Sequence, residues 1–132
     1  MSEYQQLVEQ IKAQVPVDEC FDILERDLKI GGRDAKMFFV DGLTSGSMAQ
    51  RIIFSLFSLK PKQLDDAKTM EEFLSANMPF LDAMVLRDVE KAVKFLYSGL
   101  VPLLISGYDG IIIIDCRDYP LRGIDEPSKE QS

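Results

Sequence analysis

Apolar residues near the start of the chain, Tyr4, Leu7, Val8, Ile11 and Val15, recur at intervals of three and four. That spacing paints one face of a helix, and Pro16 ends it. From Phe21 to Ile30 the apolar and polar residues partly alternate, as in a strand. Gly31-Gly32-Arg33-Asp34 predicts a turn into a second strand, Ala35 to Val40, so the pair reads as a β-hairpin closed by Asp41-Gly42. Thr44-Ser45-Gly46-Ser47 then introduces a segment from Met48 to Leu59 that is apolar on most sides, the mark of a helix lying under other elements. Lys60-Pro61 stops it. Thr69-Met70-Glu71-Glu72 has the form of a capping box, with Thr69 as N-cap and Glu72 reaching back to it. The short helix it starts runs to about Met78-Pro79. Residues 80–86 fit a strand or a loop equally well by pattern alone.

Asp88 caps a further helix whose apolar residues Val89, Ala92, Val93, Leu96, Tyr97 and Leu100 share one face. Two short apolar runs follow, 101–106 and 110–116, joined by Gly107-Tyr108-Asp109 as a second hairpin. Ile111-Ile112-Ile113-Ile114 is an unbroken β-branched run, expected of a central strand covered on both faces. The order helix, hairpin, helices, hairpin predicts an α/β fold. Its sheet would be mixed, of about four strands built from two hairpins, packed by three to four helices in two layers or three. By domain the chain divides into an amino-terminal helix (1–19), an α/β lobe (20–121) and a polar linker (122–132). The last of these has nothing to bury.

Composition narrows the function classes. A chain of 132 residues with 46% hydrophobic and 28% charged residues can bury a core without disulfides or metal. A net charge of −7 argues against nucleic acid or a bare anionic membrane as partner, since either needs Lys and Arg gathered on one face. There is no histidine. Ser-His-Asp and Cys-His catalysis therefore fall away, as do most zinc sites. Cys20 and Cys116 are far apart in sequence and sit in apolar runs, so buried reduced thiols are expected rather than a redox pair. No apolar run approaches a membrane span, and the opening residues lack the apolar core of a signal peptide.

What chemistry remains is sparse. Gly31-Gly32-Arg33-Asp34 lacks phosphate-loop spacing and precedes a strand, so it reads as a tight turn. Thr44-Ser45-Gly46-Ser47 precedes a helix and could receive a carboxylate or phosphate on its amides, although capping explains the same residues. Asp41, Asp109, Asp115 and Asp118 fall at strand ends and turns, where open α/β folds often hold ligands and where Asp also serves as a turn residue. Cys116 has no histidine to activate it. A non-catalytic module with no cofactor and no metal is the expectation.

Several segments in this order carry a resemblance: residues 21–26, Lys29-Ile30-Gly31-Gly32-Arg33, residues 38–43, Gly107-Tyr108 and, most specific, Arg122-Gly123-Ile124-Asp125-Glu126-Pro127-Ser128. From about residue 20 to 130 the chain resembles the amino-terminal soluble region of GerA-type spore germination proteins. That family comprises the A subunits of nutrient germinant receptors and the stage V sporulation protein AF. The resemblance implies a protein of the spore inner membrane whose amino-terminal region faces the spore core. It implies a soluble region of two α/β lobes followed by a membrane domain, of which this chain would be the first lobe. Other germination-protein subunits are the implied partners, with a small-molecule germinant such as an amino acid bound between lobes. Asp41, Gly42, Asp115, Arg122, Gly123 and Glu126 would then lie near the cleft or lobe interface, as their strand-end and linker positions suggest. The alternative is a scaffold that contacts partner subunits or an ion or dipicolinate channel without a ligand of its own. An unrelated small hydrolase is a third reading, against which the absent histidine counts. An uncovered hairpin edge also predicts dimerisation through that edge.

Overall fold

The computed structural model describes residues 3–15, 23–40, 42, 45–79 and 81–116. Its elements in chain order are α1 (Glu3–Gln14), β1 (Ile23–Ile30), β2 (Arg33–Val40), α2 (Gly46–Phe57), α3 (Pro61–Asp66), α4 (Met70–Asn77), β3 (Ala83–Leu86), α5 (Val89–Tyr97), β4 (Val101–Ile105) and β5 (Ile111–Ile114). The strands form one sheet in the order β1-β2-β4-β5-β3. The fold is α/β as expected, with three corrections. Every described pairing is antiparallel, so the sheet is not mixed. Among the described residues it has five strands rather than about four, because residues 83–86 add a strand to the outer side of β5. Five helices pack it among the described residues, not three to four.

The extra helix is α3. Pro61 does stop α2, but it also opens the next helix at its first position, where a missing N–H costs nothing and the fixed φ suits the turn. The amide of Lys60 is met by the Gln63 side chain at 2.8 Å. At α4 the Thr69 hydroxyl caps Glu72 N at 3.1 Å as expected, whereas the Glu72 carboxylate accepts from Lys68 N, one residue before the cap. Asp88 caps α5 by accepting from the amides of Glu90 and Lys91. The first hairpin is tighter than a four-residue turn. Ile30 pairs with Arg33 across Gly31-Gly32, both at positive φ, as the type I′ turn of a two-residue hairpin requires. Gly31 has a second reason to lack a side chain: a Cβ there would lie 2.6 Å from a Leu64 methyl and 3.2 Å from the Lys60 carbonyl.

The layers follow from the period-two alternation of the strands. One face of the sheet packs Ile30, Met37, Leu103, Ile112 and Ile114 against Ile52, Leu56, Leu64 and Phe73 of α2, α3 and α4. The other packs Phe38, Leu104, Ile111 and Ile113 against Val8 and Ile11 of α1 and Ala92, Val93 and Leu96 of α5. Three layers result, helices on both faces. Ile111–Ile114 is an interior strand in which all four isoleucines are buried, two in each core. At roughly 1.5–3 kcal/mol for each buried aliphatic side chain, this run is a principal anchor of both layers.

Candidate functional site: one end of the sheet

The strand registers place particular residues together. Ile23 lies opposite Val40, Val101 opposite Ile114, and Ala83 opposite Ile114. The start of β1, the end of β2, the start of β4, the end of β5 and the start of β3 therefore share one end of the sheet. Gly42 follows β2 there at φ 93°, a backbone state that favours glycine. Asp115 follows β5 at the same end, and its amide donates to the Asp82 carbonyl at 2.9 Å. Next to it, the Cys116 carbonyl accepts from Ser45 N at 2.8 Å, tying β5 to the start of α2. Ser45 also caps α2, its hydroxyl accepting from Met48 N at 3.3 Å with the Ser47 hydroxyl 3.3 Å away.

Of the expected site residues, the fold thus brings Gly42 and Asp115 to one end. Asp41, Arg122, Gly123 and Glu126 lie outside the described residues, as do Asp118 and Cys20. Asp109 goes to the opposite end, in the β4–β5 turn, where it meets Arg87 at 3.2 Å.

A shallow groove of about 350 Å³ opens at the same end as Asp115, lined by Asp82, Ala83, Met84, Phe95, Ser98 and Asp115, among others. Asp82 carries no sequence signal, because it precedes a strand that pattern alone leaves undecided. Two carboxylates line this groove beside the C-terminal end of α5, chemistry that could receive an ammonium group. On the other face the N-terminus of α2 offers amides of the opposite polarity. Among the described residues no group of three or more Cys, Asp or Glu could hold a metal ion. Cys116 is wholly buried, and burial beside Asp115 pushes its thiol up to about 11, so it is neither exposed nor ionised near neutrality.

The far end is structural. Arg87 makes two bonds to Glu71, at 2.8 and 3.2 Å, which hold the Glu71 carboxyl below its usual range and the guanidinium above its own. Arg33 stacks over the Tyr108 ring at 4.9 Å and reaches Asp65 at 3.1 Å. Arg87 did not stand out in the sequence and Arg33 did so only within a turn and a family segment, since each draws this role from partners remote along the chain. A larger groove of about 720 Å³ runs between α1 and the first hairpin. Its two lysines are both paired: Lys29 with Asp34, and Lys36 with Glu25 and Asp27. Burial lowers the Lys36 ammonium, but those two carboxylates outweigh it and raise the group above its ordinary value. We read this groove as a solvated surface.

Comparison with known proteins decides the family. Residues 9–132 match the model of the Bacillus/Clostridium GerA spore germination protein family. The chain belongs to this family. Among its relatives, the stage V sporulation protein AF of Bacillus subtilis (strain 168) is 21% identical over 123 residues, covering 93% of this chain and 25% of that protein. Spore germination protein B1 of the same organism is 29% identical over 96 residues, covering 73% of this chain and 20% of that protein. The GerA-family chain thus spans a quarter or less of the length of these relatives. Its fold is similar to the crystal structure of the N-terminal domain of the A subunit of the Bacillus megaterium spore germinant receptor GerK3. The TM-score is 0.65 at 12% identity, covering 89% of this chain and 94% of that one. The family is named for spore germination and not for a reaction. No described helix is long and apolar enough to cross a membrane.

Proposed function

We propose that this chain forms the spore-core-facing soluble part of a spore germination membrane protein and takes part in sensing a nutrient germinant and passing the signal on. The observation that carries this reading is the family match over residues 9–132, joined to the fold likeness with a germinant-receptor N-terminal domain. The sheet end supports it. The Asp82–Asp115 groove suits the ammonium of an amino acid, and its carboxylate falls to the second lobe. This lobe thus supplies half a site, completed by a second lobe across Gly42 and Asp115. Asp41, Arg122, Gly123 and Glu126 belong to the same interface in this reading. The module is non-catalytic: the chain has no histidine and its described cysteine is buried and protonated.

A scaffold role is the second reading, favoured by the match to stage V sporulation protein AF across 93% of the chain. Its partners would be other germination-protein subunits. Titrating a panel of amino acids into the isotopically labelled chain separates the two. Weak amide shifts confined to Gly42, Ser45, Asp82 and Asp115 are expected for sensing. No shifts, with germination subunits co-purifying on the tagged chain from spore membranes, would replace sensing by scaffolding. Turnover of any substrate would overturn both.

A further inference from the structure

β1 is an edge strand, and no described strand pairs with its outer side. The two-residue turn closes on Ile30 and Arg33. Antiparallel alternation therefore sends the backbone N–H and C=O groups of Leu24, Arg26 and Leu28 toward β2, and those of Glu25, Asp27 and Lys29 outward. The same alternation is visible on β2, where the Asp34 carbonyl turns away from β1 and accepts from Ser106 N at 2.8 Å. Residues 24–30 thus present an open ladder along the sheet edge.

Edge strands commonly carry charge as a defence against indiscriminate pairing. Here the charges are also self-complementary. We propose that the outer edge of β1 pairs antiparallel with β1 of a second copy of this chain, about a two-fold axis at Asp27, setting Glu25 opposite Lys29 of the other copy twice. Opposite charges facing each other across strands are favourable, and like charges are not. Sliding the pairing two residues toward the strand start would set Glu25 opposite Asp27 of the other copy on both sides, which selects against it. Sliding it the other way keeps opposite charges but shortens the ladder. At the axis the two Asp27 carboxylates meet, each already held by Lys36 of its own chain at 3.2 Å.

The apolar surface lies where such a pairing would cover it. Leu24 is 41% exposed, and Phe54 and Phe57 on α2 are 67% and 54% exposed. Phe57 lines both the groove on the α1 side of the hairpin and the one on the α2 side, so it overhangs the β1 edge. In the paired arrangement Leu24 lies beside Ile30 of the other copy and Arg26 beside its Leu28, with the α2 phenylalanines of both copies flanking the axis. A two-fold interface uses the same patch twice, so one apolar strip covers itself.

Sedimentation equilibrium of the 132-residue chain, from low micromolar to submillimolar concentration, tests this. A monomer–dimer equilibrium is expected. Asp27→Pro removes an outward amide that no bond among the described residues uses, a position where edge strands tolerate proline, and should raise the dimer Kd by at least about tenfold with far-UV circular dichroism unchanged. Phe54→Glu should weaken the dimer as well, because the side chain is exposed in the monomer. Should Asp27→Pro disturb folding, Lys29→Glu takes its place by setting like charges opposite each other. A concentration-independent monomer, or a dimer that survives these substitutions, would overturn the proposal.

Discussion

Cys116 shows how a residue with reactive chemistry is made inert by position. It closes β5 among the side chains of the α2–α4 core, fully buried, and its thiol is pushed up to about 11 by burial first and by Asp115 second. In the unfolded chain a thiol ionises near pH 8.5. Between those values the unfolded state releases a proton that the native state keeps. The stability this residue supports is thus complete below about pH 8.5 and is lost as pH rises toward 11, by an amount of roughly 3 kcal/mol if the full shift is realised. Denaturant titrations at pH 8 and at pH 10 should show the decline, and Cys116→Ala should remove most of it. Thiol reagents at pH 8 should label Cys116 only as fast as the chain unfolds. Immediate labelling would show the burial to be wrong.

At the scale of elements, Tyr108 joins parts that are distant along the chain. Its hydroxyl is shared between the carbonyls of Leu64, at 2.7 Å, and Ala67, at 3.0 Å, which are the closing turn of α3. Its ring meets Phe73 of α4 at 5.7 Å between centroids and carries Arg33 on one face. A six-residue helix is too short to be stable alone, so α3 depends on such docking. Tyr108→Phe keeps the ring, takes the hydroxyl donor from the Ala67 carbonyl and leaves the Leu64 carbonyl with the Ala67 amide alone. The expected cost is about 1–3 kcal/mol in urea unfolding, with faster amide exchange in α3 than in α5. An unchanged α3 would mean that its Pro61 start and Gln63 cap suffice. The same dependence explains why α3 was hidden in the sequence. Lys60-Pro61 reads as a stop, and only the tyrosine from the second hairpin makes a helix worth forming behind it. β3 was hidden for a like reason: four residues of no clear alternation become a strand because the Ile111–Ile114 edge is there to pair with.

Over the whole molecule, one sheet separates two hydrophobic cores, and β4 and β5 belong to both. Ile112 faces the α2–α4 side and Ile113 the α1–α5 side. Substituting either by Ala should cost about 2–5 kcal/mol. Each variant should still unfold in a single transition, because neither core persists once the shared sheet opens; two separated transitions would contradict that coupling. The local pattern of residues by itself determined much of this protein. Apolar spacing placed α1, α5 and both hairpins, Asp88 and Thr69 marked their helix starts, the absence of histidine removed whole classes of chemistry, and the Arg122–Ser128 segment pointed to the GerA family. These are legible because periodicity, capping and composition act over a few neighbouring residues. Tertiary structure decided the rest: that the sheet is antiparallel throughout, that a fifth strand and a fifth helix exist, and that Gly42, Asp82 and Asp115 meet at one end while Asp109 is sent to the other. Register and strand order depend on contacts between residues dozens of positions apart, whose partners a linear pattern does not name.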